Sequence, residues 1–205
     1  MAESMGVGRT TIREALRLLE TRGVLTIRSG PGGGPVVRRP RPRELAEALT
    51  LILQFEGATF EQVMEAREWL EPTITRKAVS RIPASAIEEL ESANAAILDS
   101  LSDVEAFSAA NRDFHSIIAQ NCGNIVLQIF SETLLVIGDG RPMGITYTSR
   151  QIAAIAEAHR TIIDTVVAGD GDAAEAAMSE HLGEARRYWK HNFAKLVSQP
   201  VRWTQ

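Results

Sequence analysis

Apolar residues recur every three or four positions along most of this chain, the spacing of helices that bury one face. The first such stripe is Ile12, Ala15, Leu16 and Leu19, and Gly23 is a natural stop just beyond it. Gly6 and Gly8 flank a tight turn ahead of the stripe, where Thr10 or Thr11 is placed to cap the first helical turn. The pattern then shortens. Val24-Leu25-Thr26-Ile27 reads as a strand, Arg28 to Gly34 as a glycine-rich turn, and Pro35-Val36-Val37 as a second strand. From Glu44 onward the helical period returns, predicting helices over 43–55, 60–81, 84–101, 103–121, 124–137, 149–168 and 171–195. Pro83-Ala84-Ser85, Leu101-Ser102-Asp103, Cys122-Gly123-Asn124 and Ala168-Gly169-Asp170 each join a breaker to an N-capping side chain. Gly138 to Thr148 is the longest loop, and Pro72 is expected to kink its helix or mark a restart.

The polar positions of the first helix sharpen this picture. Arg9, Arg13 and Arg17 stand four residues apart with Thr10 beside them, so the face opposite the apolar stripe is cationic. A strand, turn and strand following such a helix form a wing, whose Arg28 and open amides from Gly30 onward suit phosphate oxygens or the minor groove. Charge divides the chain the same way. Met1 to Arg43 holds nine arginines and three glutamates, a net +6, against 13 basic and 23 acidic residues in the remainder, a net -10. A basic head on an acidic body is drawn to a phosphate backbone by counterion release while the body stays clear. Arg38-Arg39-Pro40-Arg41-Pro42-Arg43 is the boundary between the two, because its prolines interrupt a helix and its arginines keep it solvated.

The run from Gly6 to Glu20, followed by Gly23-Val24-Leu25 and Arg28-Ser29-Gly30, resembles the winged helix-turn-helix of GntR-type bacterial transcription regulators. The resemblance implies that Arg9, Thr10, Thr11 and Arg13 contact double-stranded DNA from the start of the recognition helix, and Gly30 from the wing tip. In that family a first helix and most of a second precede this turn. Here only residues 1–5 stand before it, read as the tail of the second helix, so the head is expected to be truncated, by a start assigned at an internal methionine or because the chain is a fragment. Such a head is expected to bind DNA weakly.

Composition adds exclusions. With 44% hydrophobic and 23% charged residues the chain is of ordinary globular type. The single Cys122 rules out an intramolecular disulfide or a cysteine metal cage, and neither an eighteen-residue apolar run nor a signal pattern follows Met1, so a cytoplasmic protein without a membrane partner is expected.

Three of the four histidines sit on apolar stripes: His115 before Ile118, His159 among Ile152, Ile155, Ile162 and Val166, and His181 among Ala177, Met178 and Ala185. One such histidine reads as a core residue with a single hydrogen bond. Three on three helices also read as a metal site with open positions, and Asn111, one turn before His115, can add a carbonyl oxygen. Asp113 faces away from that spot, and His191 reads as solvent-facing.

Phe60 to His191 resembles the all-helical FCD effector domain of the FadR-like GntR regulators. The resemblance rests on Glu65-Ala66-Arg67-Glu68-Trp69-Leu70-Glu71-Pro72, Asn111-Arg112-Asp113-Phe114-His115, Ala158-His159-Arg160-Thr161-Ile162-Ile163 and Met178-Ser179-Glu180-His181-Leu182. It implies a divalent metal, zinc or nickel, on Asn111, His115, His159 and His181, with a small organic-acid effector completing the coordination. Asn111 stands where the family most often has aspartate, so weaker metal binding is expected. The same resemblance places Arg67 beside the effector, while an ordinary i, i+4 pair with Glu71 is the equal alternative.

The expected fold is mainly α, a partial winged helix-turn-helix with a two-stranded wing followed by an all-α bundle. Its divisions are 1–39 for the head, 40–58 for a linker and connecting helix, 59–196 for the ligand-binding and dimerisation domain, and 197–205 for a tail. The expected function is effector-responsive transcription regulation by a homodimer on a pseudo-palindromic operator. The alternatives are a metal-dependent enzyme, which three histidines with an open position permit, or a small-molecule binding protein that has lost its DNA-binding head.

Overall fold

The structure, a computed structural model, describes residues 5–202, so the expected helix remnant over residues 1–4 lies outside the described residues. Helix α1, the expected recognition helix, spans Arg9–Thr21. Its N-cap is Gly8, in extended backbone and with no side-chain cap, so Thr10 and Thr11 lie inside the first turn rather than capping it. At the other end Gly23 adopts φ +72°, and the Gly23 and Val24 amides donate back to Glu20 and Leu19 carbonyls, closing the helix in a Schellman turn. Helix α1 is only partly covered among the described residues: none of its side chains is buried, and Leu18 is 59% exposed.

The wing is the antiparallel pair β1 (Leu25–Arg28) and β2 (Gly34–Val37), in register from Leu25 opposite Val37 to Arg28 opposite Gly34. Gly33 is obligatory in its turn, since a Cβ there would sit 2.3 Å from the Arg28 carbonyl oxygen. The Ile27 amide donates to Glu20 Oε1 over 2.8 Å, tying β1 to α1.

Seven helices and a short terminal turn follow: α2 (Pro42–Phe55), α3 (Phe60–Val79), α4 (Ala84–Asp99), α5 (Val104–Gln120), α6 (Ile125–Ile137), α7 (Ser149–Val167), α8 (Gly171–Asn192) and α9 (Ala194–Val197). Asp103, Asn124 and Asp170 accept amide hydrogen bonds as N-caps of α5, α6 and α8, and Thr59 with Gln62 closes a capping box on α3. No restart occurs at Pro72, through which α3 runs unbroken. The loop between α6 and α7 holds one 3-10 turn, Arg141–Met143.

The long helices α3 and α8 lie against each other, α4 packs on α5 and α7, and α6 lies across α2, α3 and α5. The main core gathers Ile74, Leu90, Phe114, Ile118, Ile162, Ile163, Met178 and Leu182 from five of these helices. A second cluster centres on Phe60, Met64, Ile145 and Trp189. Residues 197–201, set apart as a tail on the sequence, return to this second cluster: Val197 and Val201 are buried, the Phe60 amide donates to the Gln199 carbonyl, and the Val201 amide donates to that of Ala58.

One carboxylate joins the head to the bundle. Glu44, in the first turn of α2, accepts from Arg38 Nη2 at 2.6 Å and from the Arg41 amide at 2.6 Å, and it lies so close to Gly23 that a Cβ there would stand 2.7 Å from its side chain. The end of the recognition helix, the end of the wing and the start of α2 therefore meet at a single side chain.

Candidate functional site

His115 on α5, His159 on α7 and His181 on α8 are brought together by the helix packing, all buried, with one ring nitrogen from each within 4.8 Å of the others. His159 Nε2 and His181 Nε2 are 3.3 Å apart. Phe114 holds the His159 ring flat against its own, with centroids 3.7 Å apart and planes 6° from parallel. Burial and the neighbouring imidazoles push His159 well below the usual histidine range, and burial first, then His115, brings His181 down to about 3. Both rings are therefore neutral near pH 7, which leaves lone pairs for a metal.

The donor set fits a divalent ion. Two nitrogens bound to one tetrahedral zinc at about 2.0–2.1 Å stand about 3.3 Å apart, the separation seen between His159 and His181. The buried His159 Nδ1 also has no hydrogen-bond partner. A shared N–H···N bond is the other way to satisfy the close pair, but it also leaves that atom without one.

Glu71, on α3, is the residue the sequence least exposed. It was legible as a partner for Arg67, and Arg67 Nε does donate to its Oε1, but its other oxygen lies 2.7 Å from His115 Nδ1. That second contact is of ion-pair distance and set off the hydrogen-bond line. Burial raises the Glu71 carboxyl, yet Arg67 and His115 together outweigh it and hold the group at about 2. The sequence signal was a charged pair in the middle of the buried face Met64, Arg67, Glu71, Ile74, Thr75 and Ala78.

On the other side of Arg67 lies a cavity of about 60 Å³, lined among others by Asn111, Arg112, Asp139, Arg141 and Tyr147. Asn111 thus faces the space that Arg67 faces. Arg141 pairs with Asp139 at 2.6 Å and Arg112 lies 3.7 Å from the same carboxylate, and with Arg67 three arginines but one aspartate line the cavity, so the wall is cationic. Tyr147 accepts from Trp189 Nε1 at 2.6 Å, and burial pushes its hydroxyl above the ordinary tyrosine range. Arg67 keeps only the Met64 sulfur, 3.7 Å away, on Nη1, leaving guanidinium donors toward the cavity.

The nucleic-acid candidates lie elsewhere. Arg9, Thr10, Thr11, Arg13 and Arg17 are exposed on α1, and Arg28 and Gly30 are exposed on the wing. His191 and Asp113 are exposed, away from the histidine cluster. No helix among the described residues is long and apolar enough to cross a membrane.

Comparison with known proteins agrees with both halves of this description. Residues 62–184 match the FCD domain, and residues 1–33 match the bacterial regulatory proteins of the gntR family. The chain is 26% identical to the HTH-type transcriptional regulator LutR of Bacillus subtilis, covering 89% of this chain and 84% of that one. It is 28% identical to a putative L-lactate dehydrogenase operon regulatory protein of Escherichia coli, over 89% of this chain and 72% of that one. With the Escherichia coli galactonate operon transcriptional repressor the figures are 24%, 93% and 84%. Among solved structures it resembles Streptococcus agalactiae GntR, with a TM-score of 0.65 and 29% identity over 91% of this chain and 85% of that one.

Proposed function

The chain belongs to the FCD-domain family and carries the winged helix-turn-helix of the gntR regulatory proteins, and from that premise we propose that it is a cytoplasmic, homodimeric transcription regulator that senses a small hydroxy acid. The supporting observation is the placement of three buried imidazoles one residue removed from an arginine-lined cavity, Glu71 being the link. His115, His159 and His181 would hold a divalent ion such as zinc or nickel, which supplies open coordination positions for a carboxylate. Arg67 would orient the acid from the cavity side, and Asn111 would face it. A volume of about 60 Å³ holds on the order of four waters, so a compact acid of a few heavy atoms suits it. Lactate and galactonate, the metabolites in the names of two relatives, are both 2-hydroxy acids.

A regulator suits this site better than a hydrolase. Activation of water needs a carboxylate or imidazole free to take a proton. Glu71 is not free to do so, since one oxygen accepts from Arg67 and the other lies 2.7 Å from His115 Nδ1, and the three imidazoles would be occupied as ligands. On the DNA side, Arg9, Thr10, Thr11, Arg13 and Arg17 would enter a major groove, with Arg28 and Gly30 on the adjacent backbone, each protomer reading one half of a pseudo-palindrome.

The test is titration calorimetry of lactate with zinc-loaded protein, alongside His159→Ala and Arg67→Met, and mobility shift of the duplex flanking its own reading frame with and without the acid. Binding of the acid that needs both residues, and a shift that the acid alters, are expected. Acid binding indifferent to both substitutions would remove the reading.

A further inference from the structure

We propose that Glu71 is a positioning residue: with one oxygen 2.7 Å from His115 Nδ1, close enough to favour a proton on that nitrogen, and the other accepting from the Arg67 guanidinium, it sets the balance between a cation at the histidines and an anion in the cavity. The inference rests on the metal reading above and adds to it a residue that binds neither ligand. Glu71 is 3% exposed and belongs to α3, whereas the three histidines come from α5, α7 and α8. Its two oxygens have different partners, one lying 2.7 Å from His115 Nδ1 and the other accepting from Arg67 Nε.

Two consequences follow from that geometry. A proton kept on Nδ1 leaves Nε2 as the lone pair of His115, and a carboxylate behind a ligating histidine fixes its tautomer and strengthens it as a donor. Glu71 also cancels the charge of Arg67, which lies one helical turn away on the same face. Without that cancellation a buried guanidinium repels a divalent cation in the histidine cluster and attracts an anion more strongly. Removing the Glu71 charge should therefore move the two affinities in opposite directions. A role confined to stability would weaken both.

Glu71→Gln keeps the size of the side chain and removes its charge. Zinc affinity, measured by calorimetry without any acid, is expected to fall about 10- to 100-fold, while lactate affinity in chelated protein rises. Arg67→Met with Glu71→Gln removes both charges and should return the lactate affinity below that of the wild type. Independently of any variant, long-range proton–nitrogen correlation of the wild-type rings in chelated protein should show His115 protonated at Nδ1. A His115 ring protonated at Nε2, zinc affinity unchanged in Glu71→Gln, or both affinities lowered together would each overturn the proposal. Should Glu71→Gln not melt cooperatively, the wild-type ring spectrum decides. Should the wild type bind no zinc, the metal reading fails on its own, and the ring spectrum and the lactate arm still decide whether Glu71 acts on His115 and Arg67.

Discussion

Glu44 is where the head can be cut loose without touching either α1 or the core of the helical bundle. Glu44→Ala removes an acceptor for the Arg41 amide at the start of α2 and an ion pair with Arg38, whose side chains are 18% and 30% exposed. Loss of an N-terminal acceptor costs about 0.5–2 kcal/mol, and a partly exposed ion pair adds about 0.2–1 kcal/mol. The junction should therefore weaken by about 1–3 kcal/mol, a 5- to 150-fold larger open fraction. Because none of the bundle core is involved, the opening should be local. Amide exchange should accelerate by that factor over residues 20–28 and 38–46 and stay unchanged in α3 and α8. Gly23→Ala is an orthogonal probe, since its Cβ would meet the Glu44 side chain at 2.7 Å and its φ of +72° disfavours any side chain. The two substitutions act through one contact, so the double variant should cost less than the sum of the singles. Full additivity, or acceleration spread evenly through α3–α8, would refute the assignment of Glu44 as the junction.

Four further outcomes are expected. Zinc at a hundredfold excess over its dissociation constant should stabilise chelated protein by about 2.7 kcal/mol, a rise in melting temperature of about 5–11 °C that His159→Ala abolishes. Asn111→Asp should tighten zinc binding by calorimetry, because it puts a charged oxygen donor one helical turn before His115. Chelated protein should lose stability in urea titrations as pH falls from about 6.5: unfolded histidines take up protons there that His159 and His181, the latter at about 3, refuse when folded, and Glu71, at about 2 against an ordinary 4.5, extends the loss below pH 4.5. Arg13→Ala should cost about 1–3 kcal/mol of operator binding and relax specificity at one base pair in a selection experiment if it reads a base edge, whereas a phosphate contact would weaken all sequences alike.

The helices were legible because their ends are written in local chemistry. Asp103, Asn124 and Asp170 cap as expected, and the Gly23 stop adopts the positive φ that its place after a helix implies. Thr10 and Thr11 misled because the turn before α1 places extended backbone at Gly8, which puts the N-cap two or three residues earlier with no side chain to cap it. Pro72, where a kink or a restart was expected, shows no restart. Its local penalty is met by burial of α3 against α8, α6 and α5, a tertiary term that no window of sequence contains. The histidine cluster was legible as three similar settings on three helices. Its surroundings were not, since the approach of Glu71 to His115 and the stacking of Phe114 on His159 each join segments more than forty residues apart. The cavity wall was hidden for the same reason: Asp139 and Arg141 belong to a loop that carries no period, and only the fold turns it toward Arg67.

The bridge between Thr59 and Pro200 bears on how the chain is made. Its two sides are separated by some 140 residues, so at about 5–20 residues per second the ribosome needs roughly 7–28 s to deliver the second after the first. Throughout that interval the turn between α2 and α3 lacks the Gln199 carbonyl and the Val201 amide that later pair with it. The helical bundle therefore closes only after nearly all of it has been translated, later than the wing, whose two strands emerge within a dozen residues of each other. A premature stop just before Pro200 would encode every long helix and still release a chain whose last apolar anchor, Val201, never reaches Phe60.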